Sequence, residues 1–374
     1  MATAKPSLDL LRTLTDEHVL RALMDHRRLT RAELAKITGI SKPTVSESVR
    51  RLSEAGVLRD TGERTTGRGR VGSYYALAED AGLALVASMA PEGVVAECVD
   101  GHGDVVARAS RAVSRPATPA EVTAALRKTV TQVAKEARGP LVLSAVSAAD
   151  PVDRRTGRLV HLPDAPFLIG ELSPVDVLGP LVAGPVRVDN DVNWAARAER
   201  EAGAAAGLDD FAYLHLGAGL GCAVVSDGEV RRGACGLAGE IAHLVTEGPD
   251  GRAVAFTEVF EVLGLRQQGT AAIDVAALLE ALAGDVLDAL AAAIGGVLAA
   301  LLALGDPGVV VLGGEWGSHP ALIDAVERRL REKPRRVPLR PAEVVTEPAL
   351  AGARSHALVE LRSRLAAPPP GADR

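Results

Sequence analysis

The stretch TRAELAKITGISKPTVSESVRRLSEAGVLRDTGERTTGRGRVGSYYAL, residues 30–77, decides the fold of the N-terminal part of the chain. It opens on TRAE, a capping box: the Thr30 hydroxyl can accept from the Glu33 amide while the Glu33 carboxylate reaches back. Leu34 and Ile37 are expected to face inward. Gly39 makes the tight interhelical turn, where positive φ is often needed. Ser41 is a plausible N-cap, with Pro43 tolerated in the first turn that follows. Val45, Val49 and Leu52, at i, i+4 and i+7, bury one face of a third helix, and Gly56 ends it. Upstream, Leu10, Leu14, Val19, Leu20 and Leu23 form a roughly helical apolar stripe, which predicts one helix over 7–26. Downstream, short apolar segments near Val57–Leu58 and Tyr74–Leu77 flank a Gly/Arg-rich tip. That tip is a wing, and the whole pattern is a winged helix-turn-helix.

The opposite face of the third helix carries Lys42, Thr44, Ser46, Glu47, Arg50 and Arg51. An α-helix fits the major groove of DNA, and the N-terminal residues of a recognition helix reach base edges. Lys42, Thr44, Ser46 and Glu47 are therefore candidates for base readout, and Arg50 and Arg51 for phosphate contact. Arg64, Arg68 and Arg70 of the wing are positioned for backbone or minor-groove contact. A small helical docking domain with a solvated basic face is the plainer alternative. The two caps, the Gly turn, the apolar spacing and the basic hairpin together favour double-stranded DNA.

Charge agrees with this division. The net charge is -6. Residues 1–78 hold 3 Lys and 11 Arg against 4 Asp and 5 Glu, a net of +5, which leaves -11 for the rest. A basic head on an acidic body implies that only the head meets a polyanion. At 374 residues the chain is too long for one compact core and fits two or three domains. Only 2% is aromatic, so the core is Ala, Val and Leu, with few rings on which single-stranded bases could stack. Cys98, Cys222 and Cys235 lack metal-ligand spacing and suggest a reducing compartment without a disulfide framework. The N-terminal residues carry charge where a signal peptide needs an apolar run. The longest uncharged apolar stretch, between Asp288 and Asp306, is Ala/Gly-rich and reads as a buried helix rather than a membrane span. A cytoplasmic location and no membrane partner are expected.

The acidic body alternates strands and helices, which points to an α/β fold. Strands are predicted at 141–149, 186–191, 211–217, 222–228 and 309–314, and an Ala/Leu-rich helix at 271–304. Four local features could carry chemistry. In VDNDVNWAARAE, Asn190 and Asp191 end a strand where a helix begins, a place suited to a ligand hydroxyl or to a simple cap. In LHLGAGLGCAVVSDGEV, Gly217, Gly219 and Gly221 occupy a strand–turn–strand hairpin. No helix follows, so a dinucleotide fingerprint is not supported. In GLAGEIAHL, Glu240 and His243 share a face if the segment is helical, for hydroxyl recognition, metal binding or packing. DPGVVVLGGEWG ends a buried strand in Gly313-Gly314, which suits a nucleotide base or an ordinary turn.

These four features, in this order behind a winged helix, resemble the ROK family (repressors, open reading frames, kinases) over nearly the whole chain. The resemblance is strongest in ISKPTVSESVRRL, VDNDVNWAARAE, GAGLGCAVVSDGEVRRGACGLAGEIAH and DPGVVVLGG. It implies a winged helix-turn-helix over 1–78 followed by a two-lobed actin/hexokinase-like, ribonuclease H-like α/β domain over 79–374. The lobes would lie near 79–190 and 191–345, with the C-terminal helix returning to the first. It implies a sugar pocket lined by Asn190, Asp191, Glu240 and His243, with Glu258 joining them. Asp191 holds the place of the kinases' general base.

Three departures qualify what the resemblance implies. Ser88, Met89, Ala90 and Pro91 stand roughly where the family's kinases place an acidic, glycine-rich phosphate hairpin, and proline removes a backbone donor. Pro249, Gly251 and Phe256 replace the zinc-motif cysteines, and His243 alone cannot hold a structural zinc, which takes four ligands. Ala149-Asp150 takes the place of the usual Pro-Gly. The expectation is a non-enzymatic regulator, a repressor of carbohydrate-related genes, with neither zinc nor ATP as cofactor. Its partners would be operator DNA, a sugar or sugar-phosphate effector, and a second copy of itself as homodimer or homotetramer. An active sugar kinase with a DNA-binding head, and a regulator whose body is only an oligomerisation scaffold, are the competing readings.

Overall fold

The computed structural model describes residues 8–66, 71–162, 167–168, 170–331 and 333–366. The head consists of α1 (Leu8–His26), β1 (Arg28–Thr30), α2 (Arg31–Thr38), α3 (Lys42–Glu54), β2 (Leu58–Arg64) and β3 (Ser73–Leu77). β3 lies between β1 and β2 and runs antiparallel to both. Both halves of the capping box form: the Glu33 N–H donates to Thr30 Oγ1 at 3.2 Å, and the Thr30 N–H to Glu33 Oε2 at 2.8 Å. Gly39 turns the chain at φ +71°, in the left-handed region that favours glycine. Ser41 Oγ then accepts from the Thr44 N–H at 3.4 Å and starts α3. Val45, Val49 and Leu52 are buried, each adding about 1.5–3 kcal/mol to the head. Two expected core residues are instead exposed, Leu14 at 43% and Ile37 at 48%. The short α2 meets the core through Leu34 and Ala35, which leaves Ile37 on its outer edge.

The first lobe contains β4 (Leu83–Ala90), β5 (Gly93–Val99), β6 (Val105–Arg111), α4 (Pro119–Glu136), β7 (Leu141–Ala148), α5 (Pro174–Leu178) and β8 (Val186–Asn190). Its sheet has the order β6-β5-β4-β7-β8. β4, β5 and β6 are an antiparallel meander, and β7 and β8 run parallel to β4. From β8 the chain enters α6 (Asp191–Ala202), then β9 (Phe211–Leu216), β10 (Leu220–Ser226) and β11 (Glu229–Val230). The hairpin β12 (Val245–Glu247) and β13 (Ala253–Ala255) follows, then α7 (Phe256–Val262), α8 (Val275–Ala281) and α9 (Gly284–Gly305). The lobe closes with β14 (Val310–Gly313), α10 (Pro320–Leu330) and β15 (Leu339–Pro341). The second sheet, β11-β10-β9-β14-β15, repeats the strand order of the first, three antiparallel strands and then two parallel ones. The body is thus the two-lobed α/β architecture expected.

The single helix expected over 271–304 is two. Asp274 caps α8, and at Gly284, φ +51°, the chain breaks direction before α9 begins. α9 is long and apolar enough to cross a membrane by composition alone. Here its Leu290, Ile294, Val297 and Leu298 fill the core of the second lobe against Phe256, Phe260 and Trp316.

The last helix, α11 (Pro348–Ala366), packs on β4 and β7 of the first lobe, along α6, and against α1 of the head. One apolar cluster therefore joins Val19, Leu20 and Leu23 of α1 to Leu361 and Leu365 of α11, Val86 of β4 and Trp194 of α6. Hydrophobic packing is continuous across residue 78. Polar contacts reinforce the joint: Arg362 reaches Asp25 at 3.2 Å and the Gly101 carbonyl at 3.0 Å, and Arg27 pairs with Asp104.

Candidate functional site

The head presents α3 outward. Lys42 and Thr44 are exposed in its first turn, Ser46 is half-buried, and Glu47 is exposed one step further on. Thr44 Oγ1 lies 2.7 Å from Ser41 Oγ, which orients the hydroxyl. Arg50 is gripped on both sides by its own helix, by Glu47 at 2.6 Å and Glu54 at 2.7 Å. The same guanidinium holds the Glu47 carboxyl below its usual range. Arg51 does not stand with the outward group. α3 packs against α1, and this brings Arg51 to Asp16 at 2.7 Å, where Ser48 also donates. There it ties α3 to α1, where a phosphate contact was expected of it. Arg64 is exposed on β2 and paired with Asp60 at 2.9 Å. Arg68 and Arg70 lie outside the described residues. Sequence reading also missed Arg28 and Arg31, which stack over the rings of Tyr74 and Tyr75 and fasten the wing strand to the start of α2.

A cleft of about 830 Å³ opens between the lobes. Asn190, the last residue of β8, caps α6: its Oδ1 accepts from the Val192 N–H at 2.9 Å, and its Nδ2 donates to the Ala148 and Asp150 carbonyls at 3.5 and 3.4 Å. Asp191 is the first residue of α6, with its Oδ1 taking the same Val192 N–H at 2.8 Å. Burial raises the Asp191 carboxyl above its usual range, while His215 and that N–H act the other way. Glu240 and His243 also line the cleft. They arrive there on a series of turns and not on one helix face, because the Gly239 carbonyl accepts from the Cys222 N–H at 2.9 Å and docks the segment on β10. Gly239 sits at φ +99°, and a Cβ on it would strike the Cys222 carbonyl, so only glycine allows this docking. Glu258 is absent from the cleft wall. It sits in the first turn of α7, with its carboxylate accepting from the Ala255 N–H at 3.0 Å, so it caps a helix and does not join the pocket.

Sequence reading marked Asp150 only as a departure from the usual Pro-Gly, and did not foresee it as the most unusual member of the cleft. Asp150, just past β7, is 3% exposed, and neither of its carboxylate oxygens accepts a hydrogen bond among the described residues. Loss of hydration, then repulsion from Asp191 and Glu240, pushes its carboxyl up to about 7. Loss of hydration, then repulsion from Asp191, pushes Glu240 up to about 7 as well, although its side chain still reaches solvent. Among the described residues six carboxylates line the cleft, Glu92, Asp150, Asp191, Glu240, Glu315 and Glu347, against one guanidinium, Arg115. Arg115 is itself committed to the β4–β5 turn, donating to the Pro91 carbonyl at 2.7 Å and standing 3.7 Å from Glu92.

The segments that stand where the resemblance puts the phosphate hairpins and the zinc motif are turns of β-hairpins. β4 and β5 close on the two-residue turn Pro91-Glu92, with Ala90 opposite Gly93. Gly217–Gly219 is indeed a hairpin turn between β9 and β10, and the Glu315 carboxylate lies where a Cβ of Gly217 would be. An anionic phosphate approaching that turn meets this carboxylate. The stretch in place of the zinc motif is the β12–β13 hairpin, closed by the Gly248 N–H to the Arg252 carbonyl at 2.7 Å and tied to α9 by Thr246 Oγ1 to the Ala293 carbonyl at 2.6 Å. Among the described residues no group of three or more His, Cys, Asp or Glu is placed to hold a metal ion, so the side chains present do not fit a structural zinc.

With this geometry in view, the likenesses to known proteins divide along the same joint. Residues 94–261 match the ROK family, and residues 12–59 match the winged helix-turn-helix DNA-binding family. A putative xylose repressor from Caldicellulosiruptor sp. (strain Rt8B.4) is 23% identical over 64% of this chain, and the chain spans 60% of that protein's length. A solved ROK family transcriptional regulator, a homologue of the E. coli MLC protein, shares the fold of head and body together. It covers 95% of this chain and 99% of its own at 19% identity, with a TM-score of 0.63. The ROK hexokinase from Thermus thermophilus, 26% identical, covers 75% of this chain and 99% of its own with a TM-score of 0.56.

Proposed function

We propose that this chain, whose residues 94–261 match the ROK family behind a winged helix-turn-helix, is a DNA-binding transcription regulator, a repressor of carbohydrate-related genes. Its cleft takes a sugar-type effector and does not phosphorylate it. The observation that carries this reading is a continuous line of packed helices between the two sites. Asp191 in the cleft is the first residue of α6. α6 lies along α11, so closely that a Cβ on Gly352 would strike the Trp194 carbonyl. α11 in turn holds α1 of the head through Arg362 and Asp25. A ligand that moves the start of α6 therefore has a mechanical route to the orientation of α3. The ligand biases the head only through its differential affinity for the two arrangements. A pair of such heads on a homodimer would meet two half-sites one helical turn apart, or a multiple of it.

Loss of phosphoryl transfer is supported by Glu315 against Gly217 and by the proline in the β4–β5 turn. Phosphoryl transfer needs metal and phosphates positioned together, and an acidic wall opposes the phosphates. The same wall favours a neutral or cationic effector over a sugar phosphate.

The test is a gel shift on a genomic fragment recovered by mapping bound DNA, run with and without a panel of sugars. The expected result is a shifted complex whose affinity changes at least fivefold with one sugar class, and a response lost in Asp191→Ala while DNA binding persists. No bound fragment overturns the regulator, and an Asp191→Ala response equal to wild type overturns the cleft as effector site. ADP release above background with any sugar in the panel overturns the non-catalytic reading.

A further inference from the structure

The charge of the cleft narrows its ligand beyond "a sugar", and the narrowing rests on the effector reading above. Asp150 is almost fully buried in the cleft wall, and its two carboxylate oxygens, both closed to solvent, accept no hydrogen bond from the described residues. A buried carboxylate in that condition is costly unless a donor arrives to meet it. Asp191 and Glu240 stand near enough to repel it. The opposing cation of the cleft, Arg115, is held at the β4–β5 turn by the Pro91 carbonyl. His215 acts on the Asp191 carboxyl and is not among the charges that act on Asp150.

We propose that the cleft's ligand carries a protonated amine, an amino sugar in its free and not its acylated form, whose ammonium is received by Asp150. The three donors of an ammonium match a cluster of acceptors, and the hydroxyls of the ring would go to Asn190, Asp191 and Glu240. A divalent metal does not fit, since no group of three or more carboxylates or imidazoles is close enough to coordinate one among the described residues. A phosphate is disfavoured too, because among the described residues the cleft lining holds six carboxylates against one guanidinium. An acylated amine brings no charge and leaves Asp150 without its countercharge.

The experiment is titration calorimetry of the full chain with glucosamine, galactosamine and mannosamine, each against its parent hexose and its N-acetyl derivative. At neutral pH at least one free amino sugar should bind tenfold or more tightly than both of its uncharged counterparts. Asp150→Asn, which keeps the shape and removes the charge, should bring the amino sugar and its hexose within threefold of each other. Circular dichroism and operator binding confirm that this variant is folded. Equal binding of amine and neutral sugar by the wild-type protein, or a preference that survives Asp150→Asn, overturns the inference and leaves the sugar-effector reading standing. Binding of none of these sugars overturns both.

Discussion

Asp150 pays for its position with stability, and the cost depends on pH. Burial and its two acidic neighbours raise the carboxyl from 3.8 to about 7. Below about pH 4 the group is protonated in folded and unfolded chains alike, and its ionisation costs nothing. As pH rises toward about 7 the unfolded chain ionises while the folded chain resists, so stability falls through that window. Above it the penalty is complete, on the order of 4 kcal/mol. Asp150→Asn should therefore raise Tm by several degrees near pH 8, with the gain shrinking to little near pH 4. Thermal melts across that range decide it, and a gain that grows as the pH is lowered would contradict the burial argument. Glu315 belongs to the same scale: one carboxylate laid on Gly217 changes what the glycine turn can accept.

At the scale of elements, α3 separates readout from construction. Thr44 and Ser46 lie on the side away from Val45, Val49 and Leu52. Thr44→Ala or Ser46→Ala should alter sequence preference, by about 1–3 kcal/mol for a lost base contact, while Arg64→Ala on the wing strand weakens all sequences alike. Arg51→Ala should act differently. It leaves Asp16, which is 18% exposed at its side chain, with the Ser48 hydroxyl but without its countercharge, and should lower unfolding stability by about 1–3 kcal/mol without changing which bases are preferred. Footprinting of a randomised site pool together with urea unfolding distinguishes the three classes. Sequence preference moved by Arg51→Ala but not by Thr44→Ala would reverse the assignment of the helix's two faces.

Over the whole molecule, the head and the first lobe share their hydrophobic core through α11. Removing the head would uncover apolar surface of α11, which packs against α1 within the shared cluster. Calorimetry of the full chain should therefore show the head melting together with the first lobe, and not as an earlier, separate transition. A distinct low-temperature transition that disappears when residues 1–78 are deleted would show that the joint is loose. The same joint suits signalling, because a rigid connection carries small displacements of α6 to the head where a flexible linker would absorb them.

The sequence by itself determined whatever depends on neighbours within a few residues. The capping box at Thr30, the turn at Gly39, the cap at Ser41 and the apolar spacing of Val45, Val49 and Leu52 are local hydrogen-bonding and periodicity rules, and the winged helix followed from them. The body's strands at Leu141–Ala148, Val186–Asn190, Phe211–Leu216 and Val310–Gly313 were legible as short apolar runs bounded by turns. Asn190, Asp191, Glu240 and His243 stood out by their local patterns, and the resemblance implied that they share one pocket. Tertiary structure decided the rest. Only folding brings Arg51 to Asp16, lays Glu315 on Gly217 and sets Asp150 beside Asp191 and Glu240. These are through-space electrostatic and steric facts between residues far apart in the chain. A linear pattern of residue types shows which charges exist, but not which of them will face one another without water between.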